Sequence, residues 1–178
     1  GKAHWLEEPS NNPKLKGLID VLETGHGKII VPYFFDPSGE MLFNYLSKEG
    51  YNPAWMKSKS RGGTPESILY EKRRFNNDSS CRVIIGQIDQ LARGHTLLGQ
   101  KGNDRCFRTY MYETSLSLMH VEQISDRNHR GEQDETCLIY WPIASPIDQI
   151  NVDILTKKRT QAEGMDALVA AIRKERKS

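Results

Sequence analysis

KLKGLIDVLETGHGKIIVPYFFDPSGEMLFNYL, residues 14–46, changes its hydrophobic period twice. Leu15, Leu18, Ile19 and Leu22 recur at i, i+3, i+4 and i+7, which makes one face of a helix apolar. Gly25 and Gly27 punctuate that helix, and Lys28 to Val31 reads as a short buried strand. Met41, Leu42, Tyr45 and Leu46 restore the helical period until Gly50. Helix, strand and helix in immediate succession are the building unit of a mainly parallel α/β sheet.

The alternation continues downstream. A short extended piece is expected around Ala54 to Met56, and Thr64 with Pro65 forms an N-cap and first helical residue for a helix through Phe75. Arg82 to Ile85 predicts the next strand and Thr109 to Tyr112 another. Leu116 to Arg127 predicts a helix, and Cys137 to Trp141 a last strand. Beyond Pro142 and Pro146, Ile147, Ile150 and Ile154 begin a helix that Met165, Leu168, Val169 and Ile172 continue or restart past Gly164. Gln100 to Asp104, polar with one glycine, is the expected flexible loop. The whole predicts an α/β fold with a RecA-like or doubly wound, mostly parallel sheet and helices on both faces. Residues 1–178 form one domain, with 1–12 as a flexible lead-in and 146–178 as a C-terminal helical extension. Ligands of such sheets bind outside the carboxyl ends of the strands.

Bulk composition narrows the function classes. A chain of 178 residues with 37% hydrophobic and 27% charged residues suits one soluble domain. No apolar run approaches the roughly 20 residues that cross a bilayer, and residues 1–12 carry no signal-like apolar stretch. Cys81, Cys106 and Cys137 are odd in number and far apart, so reduced thiols and an intracellular location are expected. Neither they nor the five histidines show metal-ligand spacing, and no metal site is expected. Net charge is only +2, but basic residues cluster at Lys57, Lys59 and Arg61, at Lys72 to Arg74, at Lys157 to Arg159 and at the C-terminus. Each cluster reads either as a solvated face or as a polyanion contact.

The most informative chemistry lies in QISDRNHRGEQ, residues 123–133. On a helix, steps of four and seven residues return to one face, so Gln123, Arg127 and Arg130 would project together. Paired guanidiniums suit the charge that develops on a transferring phosphoryl group, because each planar fork binds phosphate oxygens bidentately. The plainer reading has Arg127 and Arg130 paired with Glu122, Asp126 or Glu132 on a wet surface.

The full string resembles the last signature motif of Swi/Snf-type ATPases, Q-x2-D-R-x-H-R-x-G-Q. Gln123, Asp126, Arg127, His129, Arg130 and Gln133 match it, while Gly131 and Glu132 stand where the family has an apolar residue and a glycine. Other segments fall in the family's order. Lys14 to Leu22 resembles its lead-in helix, Lys28 to Leu46 its first strand and helix, and Arg73 to Asn77 the passage before the strand Val83 to Ile85. Ala92 to Leu97 is similar to the A-R-G-x-D turn of DEAD-box proteins and the G-x-N-L turn of Swi/Snf proteins, with Thr96 in place of the usual Asp or Asn. Ile147 to Arg159 resembles the helix after the last motif.

That resemblance implies the second RecA-like lobe of an ATP-dependent DNA translocase or helicase. Arg127 and Arg130, with Gln123, would complete an ATP site, and Gly94, Thr96 and Asp126 would lie near the nucleotide. Lys57, Lys59, Ser60 and Arg61 are the expected contacts to the nucleic-acid backbone. ATP and Mg²⁺ would be held mainly by an N-terminal RecA-like lobe. This chain has no G-x4-G-K-S/T loop to cradle phosphates, and Asp134-Glu135 is followed by Thr136 and Cys137, not by the D-E-x-H pattern. By itself it is expected to hydrolyse no ATP. Double-stranded DNA is the expected track. An RNA track, or a non-catalytic RecA-like binding module, are the alternative readings.

Overall fold

Asn12 starts the first helix by accepting hydrogen bonds on its side-chain oxygen from the N–H groups of Lys14 and Leu15. Pro13, at the first helical position, loses nothing there because that N–H has no helical partner. In this computed structural model the described residues are 11–127, 129, 133 and 135–175, with side chains described to residue 166 apart from residue 103. The elements are α1 (Pro13–Thr24), β1 (Lys28–Tyr33), α2 (Asp36–Lys48), β2 (Ala54–Met56), α3 (Pro65–Asn77), β3 (Val83–Gln87), α4 (Ile88–Ala92), β4 (Cys106–Tyr110), α5 (Leu118–Ser125), β5 (Leu138–Tyr140) and α6 (Pro146–Glu175).

The five strands form one sheet in the order β2-β3-β1-β4-β5, and every pairing is parallel. The chain leaves β1 toward one side and β4 toward the other, so the carboxyl ends of these neighbours mark the topological switch point. Period-two alternation on β1 sorts the core. Ile29, Val31 and Tyr33 pack with Leu15, Leu18, Leu22, Met41, Leu42 and Leu46 of α1 and α2. Ile30 packs on the opposite face with Phe75, Leu91, Val121, Ile124 and Leu155 of α3 to α6. The helices therefore cover both faces, as the sequence pattern predicts.

One bulge reshapes β4. Lys28 pairs with Cys106 but Ile29 pairs with Arg108, leaving Phe107 as an extra residue. The side chains on either side of a bulge exchange faces. Cys106 consequently joins the α3–α5 face, while Arg108 points to α1 and donates to the carbonyls of Val21 (2.7 Å) and Gly27 (2.7 Å). Arg82 donates to the carbonyls of Leu22 (2.9 Å) and Gly25 (2.8 Å). Two arginines thus satisfy carbonyls that the end of α1 leaves open. Gly27, at φ 76°, lets the chain turn there, since a Cβ would lie 2.5 Å from the Arg105 carbonyl. Arg108 is 1% exposed, and a buried arginine in a strand hides its hydrophobic period. That is why the strand expected at Thr109 to Tyr112 misses the true start of β4 at Cys106.

Two further boundaries differ from expectation. Residues 99–105 are tied by a bridge between Gly99 and Arg105 around a 3-10 turn at Gly102–Asp104, so the expected flexible loop has defined structure. α6 runs through Gly164 without a break. No helix of the described residues is long and apolar enough to cross a membrane. Cys81, Cys106 and Cys137 form no disulfide, and no cluster of potential metal ligands occurs among the described residues.

Candidate functional site

α5 descends from the carboxyl end of β4, capped by the Ser117 hydroxyl and anchored through Val121 and Ile124. It stops at Ser125, because the Arg127 N–H bonds the Ile124 carbonyl (3.0 Å) and tightens the last turn. The helix predicted over Leu116 to Arg127 is therefore shorter, spanning Leu118–Ser125. Arg127 lies beyond the helix, and Arg130 lies outside the described residues. The Arg127 guanidinium folds back, donating from Nε to the Gln123 carbonyl (2.6 Å) and from Nη1 to the His95 carbonyl (3.4 Å). It is 7% exposed. One of those carbonyls is an open acceptor at the helix end, which an arginine there naturally fills.

His95 belongs to the turn after α4, so Arg127 and the Gly94–Thr96 segment meet in space. Asn76, at the end of α3, holds the same turn from below. Its amide donates to the Thr96 carbonyl (3.0 Å) and accepts from the Gly99 N–H (3.1 Å). α3 ends where β3 begins, so this corner lies toward the amino ends of the strands. The carboxyl edge, where α4 begins after β3, is elsewhere. Gly94 adopts a left-handed φ of 35° in open space, and Thr96 is exposed. Burial, together with the nearby charges of Lys72, Arg127 and Arg93, pushes the His95 imidazole below its usual pKa. A neutral His95 thus sits among three cations, which can neutralise an anionic group but offer no nucleophile. Gln123 lines a cleft of about 390 Å³ between α4 and α5 with Asp89, Arg93 and His120. Asp126 is exposed at the end of α5. Gln133 has a supporting role: its amide donates to the Cys106 carbonyl (2.8 Å) and accepts from Arg105 Nε (3.3 Å).

The sheet order, the two covered faces and this corner agree with a single assignment. The chain has a RecA-like fold. No family model and no curated protein sequence matches it. Among solved structures, the C-terminal part of the Fun30 ATPase domain matches with a TM-score of 0.72 at 17% sequence identity. The match covers 86% of this chain and 48% of that one, so the chain spans about half the length of that structure.

On this RecA-like sheet the candidate nucleic-acid residues lie at the other end, past the carboxyl terminus of β2. Gly63 allows their tight turn, since its N–H bonds the Ser58 carbonyl (2.9 Å) and a Cβ there would lie 2.0 Å from the Lys57 carbonyl. Asp36 organises the turn. It accepts from Ser58 Oγ (3.2 Å), Ser60 Oγ (3.1 Å) and Gln87 Nε2 (2.9 Å), and pairs with Arg61 Nε (3.6 Å). Arg61 also reaches Glu40 (3.3 Å). Lys57 and Lys59 are exposed, with the Lys57 ammonium 4.7 Å from the Trp55 ring centroid. Trp55 itself stacks on Phe43 and donates to the Tyr33 hydroxyl (3.0 Å), so it serves the packing of β2. Arg61 and Ser60 are thus engaged with carboxylates, which leaves Lys57 and Lys59 as the less committed charges.

Sequence reasoning gave no site role to Asp36, Glu113 or Asn76. Asp36 before Pro37 is a helix-start signal that was legible, and α2 indeed begins there, five residues before the apolar stripe at Met41. Glu113 caps the start of α2 from β4's side, accepting from the N–H groups of Phe34 (2.8 Å) and Phe35 (2.9 Å) and from Ser38 Oγ. That partnership joins residues far apart in sequence and has no local signature.

Proposed function

We propose that this chain is the second RecA-like lobe of an ATP-driven motor that moves along double-stranded DNA. The meeting of Arg127 with the Gly94–Thr96 turn is the observation that carries the reading, because it gathers the two most distinctive motifs into one cationic corner. In the intact protein a first lobe holds ATP and Mg²⁺, and lobe closure brings Arg127 and Arg130 to the γ-phosphate. ATP supplies a transferable phosphoryl group. This chain's residues contribute positive charge where negative charge develops, together with the Gln123 and Asp126 groups that flank it. Lys57, Lys59, Ser60 and Arg61 contact the DNA backbone at the other edge, a mode that positions without reading sequence.

A guanidinium that meets phosphate only on closure stabilises the transition state more than bound ATP. Replacing Arg127 by alanine in the full-length protein should therefore lower DNA-stimulated kcat by about 10²-fold or more, roughly 3 kcal/mol, with little change in ATP affinity. Steady-state ATPase kinetics, with a melting curve to confirm folding, provide the test. A folded Arg127→Ala enzyme that hydrolyses ATP at the parent rate would establish the non-catalytic binding module instead.

A further inference from the structure

A cleft of about 600 Å³ opens at the switch point between the carboxyl ends of β1 and β4, where ligands of doubly wound sheets bind. That volume is in the range of small-molecule sites. Phe34, Phe35, Leu116 and Ile147 line it and stay 47%, 61%, 45% and 68% exposed. Contiguous apolar exposure of this kind marks an interaction site. The Phe34 and Phe35 rings stand at 87° with centroids 5.0 Å apart, presenting a face and an edge in one corner.

The polar groups of the cleft define its occupant. Glu113 is occupied by two N–H groups and Ser38. Asp148 is paired with Lys14; burial pushes its carboxyl up, but hydrogen bonds from Lys14, Ser145 and the Ala144 N–H outweigh this and hold it below its usual value. Asp148 is thus neutralised by a cation and the Glu113 oxygens are already held by donors of the protein, so neither carboxylate is left to bind a ligand. The side-chain amide of Asn151 lines the same cleft and bonds to no described residue. A purely apolar occupant would bury that amide without a partner, at a cost in free energy. A flat aromatic ring with a hydrogen-bonding edge satisfies both the rings and the amide. Phosphates have a place next door: Asp36, the neighbour of Phe35, holds the turn that carries Lys57, Lys59 and Arg61.

We propose that this cleft holds an unpaired nucleobase stacked against Phe34 and Phe35, while the adjoining turn takes the flanking phosphates. The proposal rests on the nucleic-acid reading above and adds to it a grip on an unstacked base. Stacking on an aromatic side chain is sequence-tolerant, since every base has a π face. The isolated chain should be titrated with a blunt DNA duplex, the same duplex with a short single-stranded overhang, and that duplex with an abasic overhang. A 2-aminopurine in the overhang reports stacking by its fluorescence. The normal overhang should bind about 10-fold more tightly than the abasic one. Phe34→Ala with Phe35→Ala should erase that difference and leave blunt-duplex binding unchanged, and Phe35→Trp should retain it. Equal affinity for normal and abasic overhangs, or a preference that survives the double alanine variant, overturns the base cleft while backbone binding stands. Failure of the parent chain to bind any of the three overturns the nucleic-acid reading itself.

Discussion

Replacing Lys28 by methionine removes an ammonium that joins the central strand to the end of α3. Lys28 is fully buried, and its Nζ donates to the carbonyls of Phe75 (2.6 Å), Asp78 (2.6 Å) and Cys81 (3.2 Å). These carbonyls cluster at the negative pole of α3, where a cation is favoured. Methionine fills similar volume but leaves the Phe75 and Cys81 carbonyls without this donor, each worth about 1–3 kcal/mol when buried, while the Asp78 carbonyl still accepts from the Cys81 N–H (3.1 Å). Loss of the ammonium's own desolvation cost offsets part of this, so a net destabilisation of about 3 kcal/mol is expected. For a chain of this size that lowers Tm by about 6–12 °C. Burial also pushes the ammonium below its usual pKa of 10.5, against the pull of Cys81, Asp104 and Asp78. The unfolded chain then binds more protons than the folded one between the folded pKa and 10.5, so the parent gains stability as pH rises through that window. The gap between parent and variant should widen there. Asn76, one residue beyond Phe75, holds the Thr96–Gly99 turn, so amide exchange in residues 94–99 should quicken in the variant as well. Thermal melts at several pH values and hydrogen exchange read both effects. A Lys28→Met chain as stable as the parent would refute the idea that this ammonium holds the α3 end.

Burial pushes the Cys106 thiol up to about 12 and raises Cys81 and Cys137 as well, but Cys137 is only half-buried. A thiol reagent at neutral pH should therefore modify Cys137 first, with Cys81 and Cys106 reacting only on unfolding; prompt modification of all three would show that the β4 region opens freely. Removing both Lys57 and Lys59 should reduce the salt dependence of duplex binding by about two counterions, while Arg61→Ala should change it less because Asp36 and Glu40 already engage that guanidinium. An unchanged slope in the double lysine variant would move the DNA contact away from this edge.

The alternation of periods from Leu15 to Leu46 settles the α/β class, because side-chain spacing on one element is a local property that water and a core impose together. The same locality made the capped start of α3 legible: Thr64 and Ser67 complete a capping box within four residues. Arg127 could be singled out by its motif, but its setting could not. The tight last turn of α5 takes it off the helix and against His95, a contact between elements 32 residues apart. Arg108 shows the limit most clearly. A charged residue in a strand argues for an exposed face, yet the bulge at Phe107 turns it inward onto the open carbonyls around α1. Likewise nothing in the sequence joins Asp36 to Arg61, and only the order β2-β3-β1 brings the ends of three strands together so that one carboxylate organises the basic turn. Which charges are neutralised, and which remain to meet a ligand, depends on register and on crossover connections between distant segments. Local periodicity carries no record of either; the tertiary structure alone fixes them.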